Sequence, residues 1–198
     1  GRELAGSRLG LLGMGSIAQA TGRIAKGIGL NLIGFDPYAD NDVFERLSVK
    51  RCSSLEELLE QSDVLSLHCP LTDQTRQILN AEAIARMPEG SYVINTARGG
   101  LIDEDALLAA VQSGHLAGAG LDTFAVEPPK ANHPFFSENR IVVTPHIGGV
   151  TREAGARVGV EAVRGIFQVL DGQPVARERI ANRALLADAG AMYAKAGE

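Results

Sequence analysis

The chain has 198 residues, 45% of them hydrophobic, and a formal net charge of −5. That length and apolar content suit one large domain with a substantial core. No lysine or arginine run marks a nucleic-acid or anionic-membrane footprint. No apolar stretch approaches the roughly 20 residues that span a bilayer, and residues 1–4 do not read as a signal peptide.

In chain order, Arg8–Leu12 is a short apolar run that reads as a buried strand. A glycine turn at 13–15 leads into a helix from 16 to about 29. Ile17, Ile24 and Ile28 share one face of that helix at helical spacing. Ala18, Gly22, Ala25 and Gly29 form a second stripe, small enough for the helix to lie close against a sheet. Asn31–Phe35 is the second strand, closed by Asp36-Pro37, and Lys50 lies near a short third strand. Ser54-Leu55-Glu56-Glu57 is a capping box that opens a helix to about 61. Val64–Leu67 is the fourth strand. A short helix over 81–86 stops at Pro88 and Gly90, and Ser91–Asn95 is the fifth strand. Asp103 caps a helix to 113, with Glu104 and Asp105 near its positive dipole end, and Gly114 stops it. Strands over 117–121 and 140–143 follow. Thr151 then caps a long helix that ends at Asp171-Gly172. Strands alternating with helices predict an α/β, Rossmann-type, doubly wound parallel sheet of about seven strands, with helices on both faces. This domain is expected over 1–172. Residues 173–198 are alanine-rich and read as a tail helix or a disordered end.

In an open parallel sheet, residues just past the carboxyl ends of the strands meet on one edge, where ligands bind. Three residues in such places carry chemistry. Arg98 follows the fifth strand inside Asn95-Thr96-Ala97-Arg98-Gly99-Gly100, where its fork of donors suits a carboxylate or keto acid. The plainer reading, a surface salt bridge, fits poorly between a buried strand and a Gly-Gly turn. Glu127 precedes Pro128-Pro129, and His146 lies in Thr144-Pro145-His146-Ile147-Gly148-Gly149. If the two meet, the carboxylate orients the imidazole and favours its protonated form, which makes a proton-transfer site.

On the cofactor side, Gly13-Met14-Gly15-Ser16-Ile17-Ala18 joins a strand to a helix. The first glycine permits the tight turn, and the second lets a pyrophosphate approach the helix N-terminus. Asp36 lies twenty-one residues beyond Gly15, at the end of the second strand. A carboxylate there accepts from ribose hydroxyls and repels a 2′-phosphate, which favours NAD over NADP. Its plainer reading is a turn Asp before Pro37. His68, at the end of the fourth strand, is expected to play a secondary role beside the cofactor. Asp122, directly after the sixth strand, either meets the nicotinamide end or satisfies loop amides, with the two readings comparable. Asp122, His133 and His146 have no metal-binding spacing, and no metal is expected. Cys52 and Cys69 read as two free thiols of a cytoplasmic protein.

Taken together, these segments resemble the D-isomer-specific 2-hydroxyacid dehydrogenases, the family of phosphoglycerate dehydrogenases and hydroxypyruvate reductases. The resemblance covers about residues 1–175 and rests on five ordered signatures. They are residues 6–18, His68-Cys69-Pro70-Leu71-Thr72, NTARGGLIDEDAL from Asn95, LDTFAVEP from Leu121 and TPHIGG from Thr144. It implies that Arg98 holds the substrate carboxylate, that His146 donates the proton and that Glu127 assists it. For NAD it implies a binding set of Gly13, Gly15, Ser16, Ile17, Asp36 and Pro37, then His68, Cys69, Pro70 and Thr75. Thr96, Ala97 and Arg98, and Asp122, His146, Gly148 and Gly149, complete that set. In the related formate dehydrogenases a glutamine usually stands in place of this glutamate, so Glu127 points to a hydroxy acid. The resemblance further implies a small 2-keto or 2-hydroxy acid as substrate and a homodimer through the nucleotide domain. The family's N-terminal substrate-binding domain is expected to be missing from this chain, which also lacks an initiator Met. The piece alone is therefore expected to bind NAD with weak or no turnover. A non-catalytic NAD-sensing module, like the corepressors that share the fold, is the alternative.

Overall fold

The computed structural model describes residues 3–176, 179 and 180. Seven strands form one sheet: β1 (Arg8–Leu12), β2 (Asn31–Phe35), β3 (Lys50–Arg51), β4 (Val64–Leu67), β5 (Ser91–Asn95), β6 (Leu116–Leu121) and β7 (Ile141–Val143). Every pairing is parallel and the order is β3-β2-β1-β4-β5-β6-β7. The chain winds outward from β1 to β3, then returns to the other side of β1 as β4. The loops after β1 and β4 therefore part in opposite directions and leave a crevice between them, the usual seat of a ligand in this architecture.

Six helices connect or follow the strands: α1 (Ser16–Gly27), α2 (Asn41–Leu47), α3 (Leu55–Gln61), α4 (Ala81–Ala85), α5 (Glu104–Ser113) and α6 (Arg152–Leu170). Alternation along the strands separates two cores. Leu9, Leu11 and Leu32 pack with Ala25 of α1 and Phe44 and Leu47 of α2. Leu12, Ile33, Leu65 and Val93 pack with Leu58 of α3, Ile84 of α4 and Leu107 of α5. Helices thus cover both faces, as the pattern predicts.

The small-residue stripe of α1 is buried at three of its four members, while Gly29 lies past the helix end and is exposed. Ala18, Gly22 and Ala25 are buried, and a methyl group at Gly22 would already touch Leu32 and Leu11 at 3.4 and 3.5 Å. The isoleucine stripe faces outward instead, with Ile17, Ile24 and Ile28 exposed by 67, 71 and 53%. The capping box at α3 forms: Ser54 Oγ accepts from Glu57 N–H, while the Glu57 carboxylate reaches one residue further than expected, to Ser53 N–H at 2.7 Å.

Four elements differ from the sequence reading, one of them a 3-10 helix over Pro134–Ser137. Helix α2 was not expected, and α1 ends two residues early because Ile28 and Gly29 leave helical geometry. A 3-10 turn at Gly99–Leu101 follows β5.

The contact pattern divides the chain into two compact units, Gly1–Gly148 and Gly149–Glu198. The sequence placed its boundary at 172, so the long helix α6 falls in the second unit. There Thr151 Oγ1 caps α6 by accepting from Ala154 N–H at 3.0 Å. The expectation for the tail over 173–198 lies largely outside the described residues. Among those residues, no helix is long and apolar enough to cross a membrane.

Candidate active site

The crevice between β1 and β4 opens into a cleft of about 420 Å³. Gly13, Gly15, Asp36, Pro37, His68, Cys69, Pro70 and Thr75 all line it, as the sequence anticipates for a cofactor cleft. Thr72, the last residue of the second signature, lines it too, as do Tyr38 and Gln74, which carry no signal in the sequence. The Tyr38 hydroxyl reaches Gln74 Oε1 at 3.4 Å.

Gly13 is required twice over. Its φ of +92° is left-handed, and a Cβ there would stand 2.9 Å from the Cys69 nitrogen. The two crevice walls can approach only because Gly13 has no side chain. Gly15 is different: a Cβ built on it meets nothing within 4 Å. The space above the start of α1 is open, and no side chain caps that helix or places an acid in its first turn. By contrast α3, α4, α5 and α6 each carry a side-chain cap. The free N–H groups and positive dipole end of α1 therefore fit a pyrophosphate.

Asp36 takes the turn role of its plainer reading and keeps room for the other. Oδ2 accepts from Met14 N–H and Oδ1 from Tyr38 N–H, each at 2.8 Å. This ties the turn to the glycine loop, and each carboxylate oxygen keeps a further acceptor site for ribose hydroxyls. The nearby Arg51 guanidinium engages the Asp36 carbonyl at 3.2 Å and the Asn41 side chain.

His68 sits in the cleft wall with Nε2 3.0 Å from Ser66 Oγ. Burial pushes its pKa down to about 4, so the ring is neutral at pH 7. Its folded value lies below the unfolded one, so its contribution to stability is complete above about 6.5. That contribution is lost as pH falls through 4. A ring-proton NMR titration should show no His68 midpoint above pH 5; a midpoint near 6.5 would mean that the ring stands in solvent.

The second group of residues lies past β5, β6 and β7 on the same edge. Asn95 is buried and builds the turn that presents Arg98: its Oδ1 accepts from Ala97 N–H at 3.0 Å, and its Nδ2 donates to the Arg98 carbonyl at 2.9 Å. The exposed Arg98 guanidinium donates to the Ala97 carbonyl at 2.6 Å. His146 Nδ1 lies 2.9 Å from Glu127 Oε2, and Glu127 Oε1 accepts from Phe124 N–H at 3.0 Å. The His146 ring, then the Phe124 amide, and more weakly the Arg98 charge hold the Glu127 carboxyl below its ordinary value. A lowered value means that this arrangement is favoured above about pH 4.5 and is lost on acidification.

Asp122 takes the loop-amide role. Burial alone would raise its pKa, but bonds from the Thr144 hydroxyl and the Gly148 and Ile147 amides outweigh it and hold the carboxyl down. The sequence reading missed Asn95 and Thr144, which position the turns that carry Arg98 and His146. Thr96 and Ala97 lie in the Arg98 turn; Ser16 and Ile17 open α1; Gly149 is the first residue of the second unit. No group of three or more His, Cys, Asp or Glu among the described residues could hold a metal.

The family model for the D-isomer specific 2-hydroxyacid dehydrogenase NAD binding domain matches residues 1–148. The chain is 45% identical over 172 residues to the hydroxypyruvate reductase of Thermotoga maritima, across 86% of this chain and 55% of that protein. It is 42% identical over 173 residues to the D-3-phosphoglycerate dehydrogenase of Methanocaldococcus jannaschii, across 87% of this chain and 33% of that protein. The holo structure of Rhodotorula graminis D-mandelate dehydrogenase matches with a TM-score of 0.82 at 35% identity, over 87% of this chain and 51% of that one. The chain thus spans about half of the first relative and a third of the second. It belongs to the D-isomer specific 2-hydroxyacid dehydrogenase family and carries that family's NAD-binding domain, with NAD(H) as its cofactor.

Proposed function

We propose that this chain is the coenzyme-binding part of a cytoplasmic dehydrogenase that interconverts a D-2-hydroxy acid and its 2-keto acid. The observation that carries the reading is the His146–Glu127 pair at 2.9 Å, on the same sheet edge as the cofactor cleft and close enough to Arg98 to feel its charge.

Each residue then has one task. NAD, when bound, supplies the hydride acceptor, and NADH the donor. The start of α1 holds the pyrophosphate, and Asp36 takes the ribose hydroxyls and repels a 2′-phosphate. Arg98 leaves its self-contact with the Ala97 carbonyl to pair with the substrate carboxylate. Glu127 fixes the proton on His146 Nδ1, which leaves Nε2 facing away from the carboxylate. In reduction, protonated Nε2 gives its proton to the substrate carbonyl oxygen, and the positive ring is stabilised by Glu127. In oxidation, Nε2 takes that proton back. Asp122 anchors the segment that carries His146.

Two free thiols, Cys52 and Cys69, suit a reducing compartment. The exposed isoleucine stripe of α1 supports a homodimer through this domain. Equilibrium sedimentation reads that state directly, and a monomer at micromolar concentration would remove it.

The coenzyme half of the proposal is tested by titrating the chain with NADH and NADPH and following nicotinamide fluorescence. NADH should saturate, and NADPH should bind at least about tenfold more weakly, the effect of one uncompensated charge contact. Equal affinity would refute the role given to Asp36.

A further inference from the structure

We propose that Glu104, helped by His133, is a positioning residue: it holds the Phe124–Ala125 peptide in the orientation that turns Glu127 toward His146. This rests on the proton-transfer reading of those two residues and extends it to a site that the sequence treats only as a favourable charge at a helix end.

Three observations carry it. Glu104, in the first turn of α5, accepts from Ala125 N–H at 2.9 Å through Oε1. One residue earlier, Phe124 N–H donates to Glu127 Oε1 at 3.0 Å. Two successive amides thus bind two different carboxylates, one on the fixed helix and one on the loop itself. The two amides belong to the planar peptides on either side of the Phe124 Cα, so only the φ and ψ of that residue separate them, and fixing one restricts the other.

The second anchor is His133, at the far end of the same loop. Its Nδ1 accepts from Phe135 N–H at 3.4 Å, which places the proton of the neutral ring on Nε2. Nε2 lies 3.5 Å from Glu104 Oε2. The ring also meets Phe124 edge-to-face at 5.1 Å. Glu104 therefore grips the loop at two points, at Ala125 shortly after β6 and at His133 just before the 3-10 helix over Pro134–Ser137. Both side chains are mostly buried, at 22 and 18% exposure, so the grip is screened little by solvent.

The test is the nitrogen-15 spectrum of the neutral His146 ring in this chain. In the unmodified protein the proton sits on Nδ1, facing Glu127. Glu104→Ala should populate both tautomers, while Glu104→Gln, which keeps an acceptor for Ala125, should restore most of the Nδ1–H form. NADH affinity should stay within about twofold, because the cofactor cleft is elsewhere on the edge. In the protein at full natural length, kcat should fall about tenfold with KM little changed, the size expected of a small displacement of a positioned group. A folded Glu104→Ala variant with an unchanged His146 spectrum overturns the proposal. If that variant does not fold, His133→Asn decides by the same spectrum, since it removes the second anchor alone. Absence of 2-keto acid turnover in the unmodified full-length protein would sink the activity reading, and the ring spectrum would still decide whether Glu104 positions Glu127.

Discussion

Replacing Asp122 by Ala is expected to cost about 2–4 kcal/mol of stability and to unseat His146. The side chain is 4% exposed. Oδ1 accepts from the Thr144 hydroxyl at 2.5 Å and from Ile147 N–H at 2.9 Å, and Oδ2 accepts from Gly148 N–H at 2.8 Å. The main chain of Asp122 adds a bond from His146 N–H at 2.8 Å. Residues 144–148 therefore wrap around one carboxylate, and His146 sits in that wrap with a left-handed φ of 56°. A non-glycine residue holds that conformation only where its surroundings enforce it. Alanine keeps the main-chain bond but leaves a hydroxyl and two amides without their acceptor. Asn keeps part of the set without the charge, so its loss should be smaller. Because the bonds hold the Asp122 carboxyl below its usual value, the stabilisation is complete above about pH 4 and is lost as pH falls through the folded value. Chemical denaturation of the two variants, read with the His146 ring signals, checks this. Native stability in Asp122→Ala with His146 signals unmoved would mean that the wrap is held by something else.

Gly99→Ala should be as damaging, for a steric reason. A Cβ at Gly99 would lie 1.9 Å from the Phe124 carbonyl carbon, 2.1 Å from its oxygen and 2.3 Å from the Ala125 nitrogen. These are main-chain atoms held by Glu104 and Glu127, so no rotamer change relieves the clash. Overpacking of this kind costs about 1–3 kcal/mol or more. The turn that carries Arg98 must then move away from the loop that carries Glu127. Gly100→Ala is the natural control: its Cβ would meet only the tip of the Leu71 side chain at 2.9 Å, and about 1 kcal/mol or less is expected. Equal melting temperatures for the two variants would contradict the backbone packing described above.

Much of this structure was legible in the chain. The strands other than β3 were readable because they are short, mostly apolar runs, as parallel strands buried on both faces are, whereas β3 is only the exposed pair Lys50-Arg51 at the sheet edge. Helix α2 was not readable. Its seven residues follow the Asp40 cap and begin with Asn41-Asp42, and only Val43, Phe44 and Leu47 are apolar, too few to show a period. The isoleucine stripe of α1 illustrates a different limit. Periodicity marks two faces at Ala18-Gly22-Ala25 and Ile17-Ile24-Ile28, but which of them meets the sheet depends on how closely the helix can approach. At the site, residue types and strand ends placed Arg98, Glu127 and His146 on one edge. The roles of Asp122 and Glu104 depended on partners more than twenty positions away, at 144–148 and at 125. Nothing local to Asp122 distinguishes an aspartate that touches a ligand from one that folds a loop.

The most direct measurement is NADH oxidation with a panel of 2-keto acids by the protein at its full natural length, with and without His146→Ala. The account predicts that the unmodified protein turns over at least one of them. It predicts that the variant still binds NADH, within a few-fold of the unmodified affinity, and loses kcat by about 10²–10⁴-fold, the usual share of a positioned acid. Turnover that survives in the variant, or NADH binding that disappears with His146, would contradict it.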